Sequence, residues 1–161
     1  SDRVGWTTIV RRAHEALQGL PPGTVLAGLS MGAGVAGALL AERRDAAGLR
    51  YVVGDVTHLR SAGLGTFDFF LDIGCFQGLD ARQRLAQGEG ASALANPGAT
   101  LLMLSFGPSR WRWLTGGVSQ EEIETAFAGW EMLASEPADT AGLGWPMNKT
   151  APRWYRLGRP V

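Results

Sequence analysis

FDFFLDIGCFQGL, residues 67–79, is the stretch from which the fold is inferred. Five of its first seven residues are apolar, which is typical of a strand that is buried on both faces of a sheet. A weakly helical segment, 79–94, follows it, and an NPG turn at 96–98 leads into a second apolar strand, ATLLMLSF (99–106). The order strand, helix, strand predicts two parallel strands joined by a crossover helix.

The N-terminal third continues this alternation. Residues 6–20 carry apolar side chains at a spacing of three or four, which predicts an amphipathic helix that ends at the Pro-Pro-Gly of 21–23. Residues 24–29 predict a short buried strand, and the small-residue segment 32–44 predicts a helix that packs closely on a sheet. Residues 49–56, which include YVVGDV, predict a further strand because β-branched and aromatic residues dominate them.

The C-terminal part predicts one more helix and a hairpin. Ser119 and Glu122 have the spacing of a capping box before a helix that ends near Phe127. Residues 130–136 and 154–159 predict a terminal antiparallel pair of strands. Together these elements predict an α/β three-layer sandwich, with a mostly parallel, truncated Rossmann-like sheet and a C-terminal antiparallel hairpin.

Composition limits the function classes. The chain has 161 residues, 45% of them hydrophobic, which predicts a single domain, 1–161. Fifteen basic and fifteen acidic residues cancel, so we expect neither nucleic acid nor membrane as a partner. The single cysteine excludes an internal disulfide, and neither a signal-peptide pattern nor an apolar run of about eighteen residues occurs, so we expect a cytoplasmic protein.

A ligand site is expected where the parallel strands end. In open α/β sheets, ligands bind at the carboxyl ends of the strands. The predicted strands end just before four segments: 28–34, 55–58, 72–77 and 105–110. The candidate functional residues are therefore sought in these segments.

The first of these segments resembles part of a hydrolase family. PPGTVLAGLSMGAGVAGALLAERRDAAG, residues 21–48, contains GLSMG. The segment of about 5–48 resembles the nucleophile-elbow region of dienelactone hydrolase-like α/β-hydrolases. The resemblance implies that Ser30 is a nucleophile on a strained turn, with the backbone N–H of Met31 as an oxyanion donor.

The rest of the chain resembles a different family. LRYVVGDVT (49–57), FDFFLDIGCFQGL (67–79) and NPGATLLMLSF (96–106) occur in the order seen in class I S-adenosylmethionine-dependent methyltransferases. Residues 49–161 resemble the latter two thirds of such an enzyme. The sequence is therefore interpreted as a chimera of a hydrolase-like segment, 1–48, and a methyltransferase-like segment, 49–161, within one domain.

The second resemblance implies part of an S-adenosylmethionine site. Ser30, Gly32 and Gly34 align with the family's G-x-G-x-G, and Gly28 stands where the family has an acidic residue. Asp55 would lie near the adenine, and the segment 72–77 would line the methionine and acceptor side. The strand whose acidic end binds the ribose has no counterpart between the two segments.

A hydrolase also needs a base. His58 follows the predicted strand 49–56, at the same edge of the sheet as Ser30, and Asp55 or Asp72 is a candidate to orient its imidazole. Cys75 is a second candidate nucleophile, provided that His58 lies close enough to lower its pKa. The alternatives are an exposed loop histidine and a buried structural thiol, or a zinc site formed by the two aspartates, His58 and Cys75.

Three functions follow from these patterns. The first is a hydrolase of activated esters or phosphotriesters, acting on a small-molecule substrate without a cofactor or metal. The second is an S-adenosylmethionine-binding methyltransferase or its remnant, and the third is a folded chimera without catalysis. A splice leaves strand edges and helix faces uncovered, so we also expect a homodimer.

Overall fold

The computed structural model describes residues 11–30, 52–107, 117–141 and 149–161. The predicted helix 32–44 lies outside these residues, as do Met31, Gly32 and Gly34. The described elements are α1 (residues 11–18), β1 (Leu26–Ser30), a 3-10 helix (Val56–Ser61), β2 (Phe67–Ile73), a 3-10 turn (Phe76–Gly78), α2 (Ala81–Leu94), β3 (Ala95–Phe106), α3 (Gln120–Ala126), β4 (Glu131–Pro137) and β5 (Pro152–Gly158).

These strands form one five-stranded sheet in the order β1-β2-β3-β5-β4. β1, β2 and β3 are parallel, and β5 runs antiparallel to both of its neighbours, β3 and β4. The last strand in the sequence therefore lies inside the sheet rather than at its edge. The predicted α/β class, with a Rossmann-like open sheet and a C-terminal antiparallel pair, is confirmed.

The apolar run of β2 is explained by helices on both faces of the sheet. Phe70 belongs to the core that also contains residues of α2 and α3, whereas Phe69, Leu71 and Ile73 belong to the core beneath α1. Successive side chains of a strand point to opposite faces, so a strand covered on both sides needs apolar residues at almost every position. The two aspartates are the exceptions: Asp68 lies near the start of β2, where it accepts from the backbone N–H of Val25, and Asp72 lies on the face of α2 and α3.

Capping boxes determine where α2 and α3 begin. The side chain of Asp80 accepts from the backbone N–H of Gln83, and Gln83 reciprocates at the start of α2. Ser119 and Glu122 form the same reciprocal pair at α3, so the predicted capping box is confirmed. Each box satisfies backbone donors that the first turn of a helix leaves without an intrahelical partner.

The prediction of a strand over 49–56 is wrong for its described part. Residues 52–55 are irregular, Val52 and Val53 are exposed, and Val56 begins the 3-10 helix. Asp55 caps that helix because its carboxylate accepts from the backbone N–H of Thr57 at 2.8 Å. Such a local bond gives the backbone an alternative to a strand ladder. The 3-10 helix packs on α2, where Leu59 is buried close to Gly90.

Among the described residues, the longest helices fall short of what is needed to cross a membrane.

Candidate functional site

The carboxyl ends of β1, β2 and β3 lie side by side at one edge of the sheet, here called the rim. Ser30 at the end of β1 pairs in register with Ile73, and Ile73 pairs with Leu104 of β3. This arrangement follows from the parallel direction of the three strands. It is the edge at which open α/β sheets bind ligands.

The turn after β2, residues 74–78, is anchored to the core by Asp72. One carboxylate oxygen, Oδ1, accepts from the backbone N–H of Cys75 at 2.9 Å and of Phe76 at 3.4 Å. The other, Oδ2, accepts from Nε2 of Gln87 on α2 at 2.7 Å. Asp72 is fully buried, so the carboxylate stabilises the turn from inside the protein.

Arg84 on α2 binds the same turn through its carbonyl groups. Its Nε donates to the Phe76 carbonyl and its Nη2 to the Gln77 carbonyl, each at 3.2 Å. The guanidinium also lies 5.3 Å from the centre of the Phe76 ring, within the range of a cation–π contact. Its Nη1 is 2.9 Å from a carboxylate oxygen of Glu122, which joins the turn to the start of α3.

Two further bonds connect the turn to β3. The backbone N–H of Gly74 donates to the Leu104 carbonyl at 3.2 Å. The side-chain oxygen of Gln77 accepts from the backbone N–H of Phe106 at 2.9 Å. Three sets of bonds therefore hold the turn: the Asp72 carboxylate accepts from its N–H groups, the Arg84 guanidinium donates to its carbonyl groups, and β3 bonds to Gly74 and Gln77.

Burial shifts the pKa values of both ionisable groups at this turn. Desolvation raises the pKa of Asp72 to about 6, against the opposing effect of the hydrogen bonds from Gln87, Cys75 and Phe76. Burial, together with the charge of Asp72, raises the pKa of the Cys75 thiol to about 12. Cys75 is thus a neutral thiol near pH 7, which disfavours the thiolate that a nucleophilic role requires.

Ser30 has the backbone conformation of a tight turn. Its φ is +52°, in the left-handed region that non-glycine residues rarely adopt, and its side chain is exposed. The backbone of Ser30 is therefore in a turn conformation where β1 ends at the rim. Gly28, two residues earlier in β1, pairs with Leu71 of β2.

His58 and Asp55 are close to each other but do not follow a strand. Nδ1 of His58 is 3.3 Å from Oδ2 of Asp55 and 3.0 Å from the Thr57 hydroxyl. Both side chains are mostly exposed, at 73% for His58 and 60% for Asp55. The backbone N–H and the hydroxyl of Thr57 lower the pKa of Asp55. The prediction that His58 lies at the carboxyl end of a strand is wrong, because residues 52–55 are irregular and His58 lies within the 3-10 helix.

The zinc alternative finds no support among residues 11–30, 52–107, 117–141 and 149–161, where no three His, Cys, Asp or Glu side chains are placed to hold a metal. All four proposed ligands fall within these ranges. Asp72 is buried and bound by two backbone N–H groups and an amide, whereas Asp55 and His58 form their own exposed cluster.

Sequence reasoning missed the residues of α2 that support the turn. Arg84 and Gln87 are polar, yet both are buried, and they follow one another at helical spacing. Two buried side-chain atoms among the described residues make no hydrogen bond: Oε1 of Gln87 and Oγ of Ser105. The sequence signal that could have identified them is the spacing of Arg84 and Gln87, three residues apart on a helix that directly follows the turn.

Comparisons of sequence identify no family. No family model matches the chain, and no curated protein matches it in sequence. The fold, in contrast, matches solved structures over nearly the whole chain.

Several of the solved structures that it resembles are methyltransferases. The magnesium protoporphyrin IX methyltransferase ChlM of Synechocystis PCC 6803, with bound S-adenosylhomocysteine (SAH), has a TM-score of 0.70 at 13% identity, covering 98% of this chain and 84% of that one. The N-methyltransferase NodS of Bradyrhizobium japonicum WM9, in complex with SAH, has a TM-score of 0.68 at 15% identity over 94% and 87%. A chain from the complex between the Haloferax volcanii Trm112 methyltransferase activator and its candidate methyltransferase has a TM-score of 0.69 at 13% identity over 99% and 92%.

The fold is thus the one seen in class I S-adenosylmethionine-dependent methyltransferases. The match supports the resemblance stated for residues 49–161, and its coverage of up to 99% extends over the N-terminal segment as well. Nothing in these comparisons supports the resemblance of residues 5–48 to dienelactone hydrolases.

The prediction of a hydrolase without a cofactor is therefore wrong. The structural matches are to methyltransferases, two of which were solved with SAH, and they favour the predicted alternative. Ser30 ends β1 with a positive φ, and this backbone conformation does not by itself define a reaction.

Proposed function

We propose that this protein binds S-adenosylmethionine at the rim and transfers its methyl group to a small-molecule acceptor. The single observation that carries the proposal is the likeness of the fold, over 94–98% of the chain, to two methyltransferases that hold SAH. When bound, S-adenosylmethionine supplies a methyl group activated by a positively charged sulfur.

The described residues fit this ligand at the β1 end of the rim. Ser30 turns the backbone sharply at an exposed position, and such turns leave backbone N–H groups directed at a ligand. The GLSMGAG sequence continues with Gly32 and Gly34, which we propose as cofactor-binding residues by the same resemblance. Gly28, two residues before Ser30 in β1, is the third glycine that the resemblance proposes for cofactor binding.

Asp55 is the proposed partner of the adenine. Its carboxylate is 60% exposed, and Oδ1 accepts both bonds from Thr57 while Oδ2 faces His58. A carboxylate has about four acceptor positions, so capacity remains for an exocyclic amino group. Its lowered pKa keeps it ionised near pH 7.

The sequence offers no acid that corresponds to the family's ribose contact. A hydrogen bond to a charged group contributes about 1.5–3 kcal/mol. We therefore expect SAH to bind roughly tenfold or more weakly than it binds to a site that has this carboxylate.

The test is calorimetric titration of the protein with SAH, with adenosine and NAD as competing ligands of related chemistry. Saturable binding of SAH that S-adenosylmethionine competes away supports the proposal. Asp55→Asn should weaken binding about fivefold or more, by loss of a charge-assisted bond. The matched control is Asp68→Asn. Asp68 also accepts from a backbone N–H, that of Val25, but it lies at the amino end of β2, opposite to the rim. No SAH binding at millimolar concentration would refute the proposal.

Two other expectations stay predictions. A location in the cytoplasm is one, and a homodimer is the other. In the described sheet β4 is an edge strand, and Leu133 on it is 50% exposed. Light scattering that gives a monomer at every concentration would refute the dimer.

A further inference from the structure

We propose that Asp72 is a positioning residue for the cofactor and acceptor site: its ionised carboxylate holds the turn 74–78 in its binding conformation, and protonation loosens that turn. This inference rests on the proposed function, because the turn is the part of the rim next to β1. The carboxylate is fully buried, so it acts through the turn and does not touch a ligand.

The geometry requires an acceptor at this position. The backbone N–H groups of Cys75 and Phe76 both point at Oδ1 of Asp72, and Nε2 of Gln87 points at Oδ2. Three donors therefore converge on one carboxylate, which is the arrangement that an anion satisfies best. A neutral carboxylic acid accepts weaker bonds and must itself donate one.

Gln87 provides the response to that proton. Its Oε1 is buried and makes no hydrogen bond, while its Nε2 donates to Asp72. When Asp72 carries a proton on Oδ2, a rotation of the Gln87 amide presents Oε1 as the acceptor. The core thus accommodates both protonation states. Protonation mainly weakens the two hydrogen bonds from the backbone N–H groups of Cys75 and Phe76.

The change of state falls within an accessible pH range. Burial raises the pKa of Asp72 to about 6. The ionisable groups of α2, α3 and β5 fall into two sets. Arg82, Glu89, Glu121, Glu124 and Arg156 are exposed, whereas Arg84 of α2, Glu122 of α3, and Arg153 and Tyr155 of β5 are at least partly buried, as is Cys75 of the turn. Arg84 is paired with Glu122, Arg153 donates to Ser135, and burial raises the pKa values of Cys75 and Tyr155, so these two stay neutral.

The first measurement is the dissociation constant of SAH between about pH 5 and pH 8. We expect affinity to fall about fivefold as the pH falls through 6, because two charge-assisted bonds weaken. Asp72→Asn should remove this dependence and bind at the weak, low-pH level throughout. The amide of Asn is a neutral isostere, and the Gln87 rotation accepts its N–H.

The controls separate Asp72 from other groups that titrate near pH 6. His14→Gln and His58→Gln remove the two histidines of the chain, and both variants should keep the pH dependence. Gln87→Leu should move the midpoint to higher pH, since it removes the donor that stabilises the anion. This variant also tests the inference if Asp72→Asn does not fold.

A second readout is amide hydrogen exchange of Cys75 and Phe76 without ligand. We expect faster exchange below pH 6 than the chemistry of exchange alone produces, and no such change in Asp72→Asn. If Asp72→Asn binds SAH with the wild-type affinity and the wild-type pH dependence, the positioning role is wrong and the proposed function is unaffected. Absence of SAH binding at every pH overturns the proposed function and this role together.

Discussion

Gly88 of α2 lies directly against Ala126 at the end of α3: a Cβ built on residue 88 would be 1.9 Å from the Ala126 carbonyl oxygen and 2.6 Å from the carbonyl carbon. Backbone atoms cannot yield as a flexible side chain can. This contact sets how closely the two helices approach. The same helix, α2, positions Arg84 and Gln87, which hold the turn 74–78 and Asp72.

Gly88→Ala should therefore destabilise the protein, although alanine favours helices by about 1 kcal/mol. Relief of the overlap requires a shift of α3, and we expect a net loss of about 1–3 kcal/mol in urea unfolding. Glu89→Ala, on the exposed side of the same helix, should stay within about 0.5 kcal/mol. Equal stability of Gly88→Ala and wild type would show that the two helices are not in close contact.

Ionisation of Asp72 should lower the free energy of unfolding of the protein, even though the ionised carboxylate orders the turn 74–78. Its pKa rises from 3.8 to about 6 on folding, so the folded state binds the proton more tightly. The stability that this group contributes is fully present below 3.8 and lost as the pH rises through 6. A shift of this size corresponds to about 3 kcal/mol.

Asp72→Asn should accordingly be more stable than the wild type at pH 8, by up to about 3 kcal/mol. The difference should shrink as the pH falls from 6 towards 3.8. Chemical unfolding of both proteins at a series of pH values measures it. A wild type that is the more stable protein at pH 8 and loses its advantage in acid would reverse the sign and refute the prediction.

Two ion pairs of nearly equal length should contribute differently to the free energy of unfolding because their burial differs. The side chain of Arg84 is 10% exposed and pairs with Glu122 at 2.9 Å, whereas that of Arg12 is 40% exposed and pairs with Glu136 at 3.0 Å. Arg84→Met leaves two carbonyls and a partly buried carboxylate without this partner, and should cost roughly 2–4 kcal/mol. Arg12→Met should cost less than about 1 kcal/mol. Thermal unfolding of the two variants gives the comparison, and similar losses would contradict it.

The backbone at Ser30 predicts an order among substitutions. Its φ of +52° suits glycine and disfavours a β-branched side chain. Ser30→Val should lower the free energy of unfolding by about 1–2 kcal/mol, and Ser30→Gly should leave it unchanged or raise it slightly. If valine is tolerated as well as glycine, the sharp turn at the end of β1 is absent.

The strands and caps could be predicted because their causes are local. The run 67–73 is apolar since helices cover both faces of the sheet, and Ser119 with Glu122 caps α3 through bonds three residues apart. The segment 49–56 misled for the same reason: its β-branched residues favour a strand, but the cap from Asp55 to Thr57 starts a 3-10 helix.

The site could be predicted only in part. Asp72 and Cys75 follow from their position at the end of an apolar strand, and they do lie at the rim. Their partners on α2 were missed, because that helix buries Arg84, Gln87 and two glycines instead of an apolar stripe, and only the spacing of the two polar residues marks them. Only the close approach of α2 to the sheet and to α3 explains that choice.

The placement of β5 between β3 and β4 has a consequence for synthesis on the ribosome. β4 has no hydrogen-bonded neighbour in the described sheet except β5, which ends at Gly158. Until that segment emerges from the exit tunnel, the edge of β3 stays open and β4 is unpaired. Nascent chains of this protein should therefore present exposed strand edges to chaperones until β5 has been synthesised.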